Sequence, residues 1–373
     1  MVTITMTIDA RAAVGVAAAI ASAAVLYRLL RKHTAIPLIN GAAAWAAASA
    51  RNKSPPGFAF YSSVTDSITT NPNLFTVSID DHCIVRGHAV FDTCSLINEK
   101  MYRLQIHLQR LFSSAAAARL RLPFGDDLEV NRQRMTAIVA AACRASGQPT
   151  ADVRFWLTAG TGNLGVTPKG CTPRFYVLVF GGLPMDPKWA VDGIPEVVIS
   201  PEVVPTKPKL LAELKSNNYL LNAMTMMAAG ERGGTFGLVA DSDGVLLESC
   251  VLNIVVIGRD GVLRTPTFEN ALAGTTVRRV MDLAKRSLVS AVADGRQAAS
   301  LRGVSQQVLT LADAREAAEI FLCAGDTHLF PITTLDGRPV GDGRIGPIAR
   351  TLGEMLLLDA REGAEHHQSI FDH

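Results

Sequence analysis

Charge, aromatic residues and paired cysteines are all scarce in this chain. Charged residues make up 19% of its 373 positions, and 36 basic residues nearly cancel 34 acidic ones to leave +2. So even a balance excludes the basic footprint of a nucleic-acid binder and gives no attraction for an acidic surface. Six cysteines are present, but none forms a Cys-x-x-Cys pair, so neither a zinc site nor a disulfide framework is expected. Cys94, Cys250 and Cys323 lie in apolar runs, where a free thiol packs as a small hydrophobe, and this usage fits a reducing compartment. No internal repeat is found. Apolar residues are plentiful: at 48%, over this length, they suffice for a large core and two domains.

Acid is almost missing from residues 1–57, where Asp9 stands alone against Arg11, Arg28, Arg31, Lys32, Arg51 and Lys53. The same segment carries an Ala-rich apolar run, Ala12–Tyr27, and a second, Gly41–Ala50. Basic, acid-poor and rich in Ala and Ser is the composition of an organelle presequence, for a mitochondrion or plastid. The rival reading is a membrane anchor through residues 12–30 carrying a soluble catalytic domain. That run is at the short end for a span of about 20 residues. A disordered extension is a third reading. A secretory signal fits poorly, because the basic cluster follows the apolar run. Ser54-Pro55-Pro56-Gly57 marks the boundary.

After the leader the pattern predicts an α+β fold. Residues 58–180 form a small domain. Strands are expected at Asn73–Val77, Cys83–Val85 and Ala89–Ile97, then a helix carrying Leu104, Leu108, Leu111 and Phe112, a helix over Leu128–Ser146, and strands Val153–Thr158 and Phe175–Phe180. Residues 181–193, with their Gly-Gly-Leu-Pro and Met-Asp-Pro breakers, read as a connector. Residues 194–358 form a second, larger domain, with strands at Glu196–Ile199, Phe236–Ala240, Leu246–Cys250, Asn253–Ile257, Gln307–Leu311 and Glu319–Cys323 and helices at Tyr219–Glu231, Thr275–Arg286, Ala312–Ala318 and Gly346–Leu358. Residues 359–373 read as a flexible tail.

One stretch organises the rest: Lys209–Asn222, KLLAELKSNNYLLN. Ser216, Asn217 and Asn218 are helix-capping residues, so Lys215 sits where an extended segment hands over to a helix. A lysine at such a junction is usually just solvated. Two downstream features argue otherwise. Glu248 is a lone acid in the apolar run Val245–Asn253, and a buried acid needs a partner. Gly274-Thr275-Thr276 opens a helix, and a helix N-terminus with free amides is an anion site. Lysine, buried acid and phosphate-type helix start together point to one cofactor, pyridoxal phosphate.

The order Lys215-Ser-x-Asn-Tyr-Leu, Gly244-x-x-x-Glu248-x-x-x-x-Asn253, Thr265-Pro and Leu272-x-Gly-x-Thr resembles the fold-type IV, or class IV, aminotransferases. Upstream, Arg86-Gly-His-Ala-Val-Phe91-Asp92 and His107-Leu-Gln-Arg110-Leu extend the match to roughly residues 58–358. The overall pattern looks most like eukaryotic, plant-type D-amino acid aminotransferase-like proteins. The resemblance implies a smaller N-terminal α/β domain and a larger C-terminal domain with a mixed, barrel-like sheet flanked by helices. It implies a transaminase working on an amino acid, of D- or branched-chain type, and a 2-oxo acid, and a homodimer as the default. Aminodeoxychorismate lyase, which releases pyruvate, and a pyridoxal-phosphate-binding protein without turnover are the alternatives.

Residue by residue, the resemblance makes Lys215 the Schiff-base lysine and Glu248 the partner of the pyridine nitrogen. Gly274, Thr275, Thr276 and Arg110 would hold the phosphate, with Asn253 and Ser249 in support. The altered turn Ala324-Gly325-Asp326-Thr327 stands where the family's backbone amides approach the substrate carboxylate, which makes Gly325 and Asp326 substrate-side candidates. Arg154 resembles an arginine of branched-chain transaminases and reads equally well as a carboxylate reader or a strand-edge charge. Phe91 and Tyr102 are candidate pocket walls, though core packing explains either as well.

Overall fold

The alternation of Ala151, Val153, Phe155, Leu157 and Ala159 with Asp152, Arg154 and Trp156 makes one strand face apolar and the other polar. That strand is central to a seven-stranded antiparallel sheet. In the computed structural model, which describes residues 41–49, 57–182, 185–289, 300–363 and 366–372, the chain divides into two compact units, 1–53 and 54–373. The first contributes helix α1 (Ala42–Ser49). Among the described residues no helix is long and apolar enough to cross a membrane. The run at residues 12–30, read above as presequence or anchor, lies outside them.

The second unit opens with β1 (Gly57–Ser62), β2 (Ser67–Thr69), a short helix α2 (His82–Val85), β3 (Ala89–Ile97), β4 (Lys100–Tyr102), α3 (Leu104–Ala117), α4 (Leu128–Ser146), β5 (Ala151–Thr161) and β6 (Thr172–Phe180). The strands order as β17-β4-β3-β5-β6-β1-β2, where β17 is His367–Ser369. Helix α4 starts at Asp127, whose carboxylate accepts from the amides of Glu129 and Val130, and stops at Gly147 in the left-handed region (φ 64°). Its buried stripe of Met135, Val139 and Cys143 packs over β1 and β6, and that of α3, Leu104, Leu108 and Leu111, over β3, on the apolar face of the same sheet. The opposite face, with Phe91, Thr93, Asp152 and Arg154, borders a cavity.

The remainder holds α5 (Lys188–Asp192), β7 (Ile194–Glu196), β8 (Val198–Ile199), α6 (Lys209–Glu213), α7 (Leu220–Glu231), β9 (Leu238–Ala240), β10 (Leu246–Ser249), β11 (Asn253–Ile257), β12 (Val262–Thr265), α8 (Thr275–Leu283), β13 (Gly303–Gln306), α9 (Leu311–Arg315), β14 (Glu319–Ala324), β15 (His328–Leu335), β16 (Arg338–Pro339) and α10 (Pro347–Glu362). One sheet runs β13-β12-β11-β14-β15-β16, with β7 added parallel to β15, and β10-β9-β8 form a second. Both are open; neither closes into a barrel. Period-two alternation again sorts the faces. Val255 and Ile257 meet Val277, Val280, Leu352 and Leu356 of α8 and α10, while Ile254 and Val256 join Leu246, Phe236 and Phe330 on the other side.

Several expected elements differ. Cys83–Val85 is helix, not strand, because Asp81 caps it by accepting from the Cys83 amide at 2.9 Å. Asn73–Val77 is likewise not a strand; a 3-10 turn spans Pro72–Leu74, opened by Asn71. The strand expected at Gln307–Leu311 falls earlier, at β13, because Thr310 and Asp313 form a reciprocal capping box that starts α9. In the 181–193 segment Trp189 is packed edge-on against Phe236 and Phe330, with ring centroids 5.1 and 5.8 Å apart.

The stretch read as a flexible tail is structured: α10 runs to Glu362, and His367, Gln368 and Ser369 pair with Tyr102, Met101 and Lys100. Ile370, 3% exposed, enters the core beneath β3. The sequence hid this, since Ile370 and Phe371 side by side after a polar run show no periodicity. Ile370→Ala should therefore destabilise the protein by about 2–4 kcal/mol, within the usual cost of emptying a buried aliphatic site. An unchanged denaturant midpoint would mean that the end of the chain is frayed in solution.

Candidate active site

Residues 215–217 are bound edge-on to β3. The Phe91 amide donates to the Lys215 carbonyl at 2.8 Å, the Asn217 amide donates to the Ala89 carbonyl at 3.0 Å, and Ser216 bridges Val90. Strand β4 pairs with β3 only at Leu96 and Ile97, so this end of β3 is open to the incoming segment. The pairing sets the Lys215 side chain against the face of Phe91, with Nζ 4.8 Å from the ring centroid and 3.4 Å from the Tyr219 hydroxyl. Phe91 and Tyr219 themselves meet edge-to-face at 5.1 Å.

These groups border a cavity of about 670 Å³, a size usual for a small-molecule site. The wall opposite β3 is the N-terminus of α8. Gly274 is its cap, and no side chain takes the first amides, so the positive end of the helix faces inward. Gly274 has no alternative: an added Cβ would lie 1.9 Å from the Asn253 Oδ1. Asn253 also donates to the Leu272 carbonyl at 2.9 Å and so braces the loop that delivers Gly274. Thr275 and Thr276 border the cavity.

Lys215, Arg110 and Arg154 border this space, as does Arg361. Burial, and then the Arg110 guanidinium, lower the Lys215 amine from the usual lysine value to about 8. Arg110 binds Asp92 through Nε at 2.7 Å and Nη2 at 2.6 Å. A guanidinium has five N–H groups, so three remain beyond that fork. Arg154 donates Nε to the Thr93 hydroxyl at 3.0 Å and lies between the rings of Phe91 (5.4 Å) and Phe180 (5.3 Å). No carboxylate pairs with it among the described residues, and burial lowers its pKa. A desolvated guanidinium stacked on two aromatic rings is a fixed receptor for an anion.

Glu248 lies next to this cavity rather than on its wall. Its carboxylate is buried, with Oε1 taken by the Lys207 ammonium and Oε2 by the Leu272 amide at 3.1 Å. A small crevice there is also lined by Asn222 and Ser249, whose buried Oδ1 and Oγ have no partner among the described residues. Each carboxylate oxygen keeps a lone pair for one more donor.

The structure thus brings Lys215, Arg110, Arg154, Asn253, Gly274, Thr275, Thr276, Gly325 and Asp326 around one cavity and sets Glu248 beside it. The Asp326 side chain does not face a substrate: it turns into the protein toward His107, and its amide donates to the Thr276 hydroxyl at 2.9 Å. Of the two expected pocket walls, Phe91 is one; Tyr102 is fully buried and donates to Asp359. Sequence reasoning gave no role to Tyr219, Asp92, His107 or Lys207. The first three stand inside the quoted motifs and were findable there. Lys207 carries no local signal, because its partner Glu248 is distant in sequence.

The residues present suit pyridoxal phosphate. The group needs an amine neutral enough to attack its aldehyde, an anion cradle and an acid for its ring nitrogen. Lys215, the uncapped start of α8 beside Arg110, and buried Glu248 are those three groups.

Known proteins show the same arrangement of sequence. The model of the family described as amino-transferase class IV matches residues 89–335. The chain is 33% identical to the chloroplastic D-amino-acid transaminase of Arabidopsis thaliana, over 82% of this chain and 77% of that one. It is 29% identical to a D-alanine aminotransferase of Listeria monocytogenes, over 76% and 90% of the two chains. Its fold is similar to that of the branched-chain amino acid aminotransferase from Escherichia coli, with TM-score 0.69 and 21% identity over 85% of this chain and all of the other.

The depressed amine is directly measurable. Competitive acylation should show Lys215 half-reactive near pH 8 in the folded protein and only at higher pH once the protein is unfolded. Equal titration in the two states would remove the case for a buried, activated amine.

Proposed function

The chain belongs to the class IV aminotransferases, and from that premise we propose that it moves an amino group between an amino acid, of D- or branched-chain type, and a 2-oxo acid, using pyridoxal phosphate held on Lys215. The observation that carries this reading is the buried Lys215 amine, its pKa brought down to about 8, set on Phe91 and sharing one cavity with an uncapped helix start.

Each residue has a task that its geometry supports. The first amides of α8, the hydroxyls of Thr275 and Thr276 and the outer N–H groups of Arg110 would hold the phosphate. Glu248 would hold the ring nitrogen with its remaining lone pairs. When bound, the cofactor supplies an electron sink for charge developed at the substrate Cα. Lys215 Nζ, neutral in part near pH 8, takes the proton from that carbon and returns one. The Tyr219 hydroxyl, 3.4 Å away, orients that nitrogen. Arg154, free of any carboxylate among the described residues, receives a carboxylate of the substrate. Phe91 and Tyr219 wall off water, which strengthens these charge interactions.

The test is transfer of an isotope-labelled amino group to 2-oxoglutarate or pyruvate, over a panel of L- and D-amino acids. At least one should serve as donor, and borohydride should fix the cofactor to Lys215 by mass. Lys215→Ala should lose both signals. Glu248→Gln should keep the cofactor and lose about 10²–10³ in turnover, the usual cost of one misplaced electrostatic partner. Release of pyruvate from aminodeoxychorismate with no amino transfer would replace the proposal with a lyase.

We further propose plastid delivery by residues 1–57. Their basic, acid-poor composition supports it, and the Arabidopsis relative is named chloroplastic. Fused to a fluorescent protein, the segment should label the plastid interior of a plant cell; a membrane rim would favour the anchor, and diffuse label would reject both.

A further inference from the structure

His107 lies between two carboxylates. Its Nδ1 is 2.9 Å from Asp92 Oδ1 and its Nε2 is 2.9 Å from Asp326 Oδ1. All three side chains are essentially fully buried. Despite burial, Arg110 and then His107 hold the Asp92 carboxylate below its ordinary range, and each ring nitrogen faces a carboxylate oxygen, the arrangement of an imidazolium that donates from both nitrogens. Charges then balance along the chain Arg110, Asp92, His107, Asp326.

Asp326 is reached from three sides. Its Oδ2 accepts from the Ser95 amide of β3 at 3.2 Å, its Oδ1 faces His107 on α3, and its own amide donates to Thr276 Oγ1 on α8 at 2.9 Å. Its backbone is left-handed (φ 64°), as is that of Gly325 (φ 57°), a conformation that an Asp or Asn tolerates best among side chains. Because the Thr276 oxygen accepts the Asp326 amide, the hydroxyl hydrogen is left to donate, and Thr276 borders the cavity.

We propose that Asp326 is a positioning residue: it pins the Ala324–Thr327 turn to β3 and α3 through the His107 imidazolium and thereby aims the Thr276 hydroxyl at the anion bound by α8. The inference rests on the anion being the cofactor phosphate, as proposed above. It makes anion affinity depend on the charge of His107. Burial alone would depress that histidine, but Asp326 and then Asp92 outweigh burial and hold its pKa above the ordinary value. The contribution is therefore complete at pH below the free-histidine value and is lost as pH rises through the folded one. The other ionisable groups near this chain are Cys94 on β3, Tyr102 on β4, Asp152 and Arg154 on β5, His328 on β15 beside the turn, and Lys215 and Tyr219 beyond Arg110. Lys215 is brought down to about 8, and Asp326 is not among the groups that shift it, so its contribution is shared by wild type and variant.

The measurement is binding of pyridoxal phosphate and of sulfate, a dianion throughout, to wild type and Asp326→Asn between pH 6 and 10. Asparagine keeps the left-handed turn but removes the charge. At pH 7 the variant should bind both anions about tenfold more weakly, the scale of one charge-assisted hydrogen bond. It should also lose the part of the alkaline decline that wild type shows beyond Lys215. In parallel, nitrogen NMR of the wild type should show His107 protonated on both nitrogens at pH 7. Equal affinities and pH profiles, or a neutral His107, would overturn the inference even if the variant folded poorly. Failure of wild type to bind pyridoxal phosphate at any pH would count against the cofactor reading, while the His107 spectrum would still decide the charge chain.

Discussion

The site depends on a short piece of β-pairing, Lys215–Asn217 laid along the open end of β3. Two backbone bonds and one bridge hold it. They join residues more than 120 positions apart, and they fix the direction of the Lys215 side chain with the precision of a sheet. Once that segment is placed, Lys215 rests on Phe91, Tyr219 follows four residues later as the cap of α7, and α7 continues from it. A backbone bond is a good choice for this task, since it survives most substitutions of the side chains around it and resists the pull of a buried charge.

Electrostatics then divides the cavity. Lys215, Arg110 and Arg154 would repel one another if all were free. Asp92 neutralises Arg110, the aromatic faces of Phe91 and Phe180 stabilise Arg154, and Lys215 relieves the remainder by giving up part of its charge near pH 8. The depressed amine is thus a consequence of crowding cations into a desolvated space, and the same crowding leaves Arg154 as the charge for a substrate. Glu248 is held beside the cavity by Lys207 and the Leu272 amide, so its carboxylate is fixed there without collapsing onto Lys215.

Much of this was legible in sequence. Strands Ala89–Ile97 and Asn253–Ile257 and helix Leu128–Ser146 are found at the expected bounds, since each has a strong period or a clear cap. The motif residues Lys215, Gly274, Thr275 and Thr276 do meet at one cavity. Local chemistry misled where a cap overruled an apolar run: Asp81 turned Cys83–Val85 into helix, and Thr310 with Asp313 displaced the strand before α9. Strand β17 was invisible because it owes its existence to a partner some 265 residues away rather than to its own composition.

By itself, the sequence determined the family and singled out Lys215 and the helix start that lines the same cavity, because those features are short, ordered motifs whose chemistry is local. Only the tertiary structure decided the environment of each charge: that Asp326 faces His107 instead of a substrate, that Lys207 pairs with Glu248, and that Arg154 has no carboxylate among the described residues. The reason is physical. A side chain's ionisation and availability are set by whatever lies within a few ångströms of it, and in this fold those neighbours come from strands and helices hundreds of residues apart.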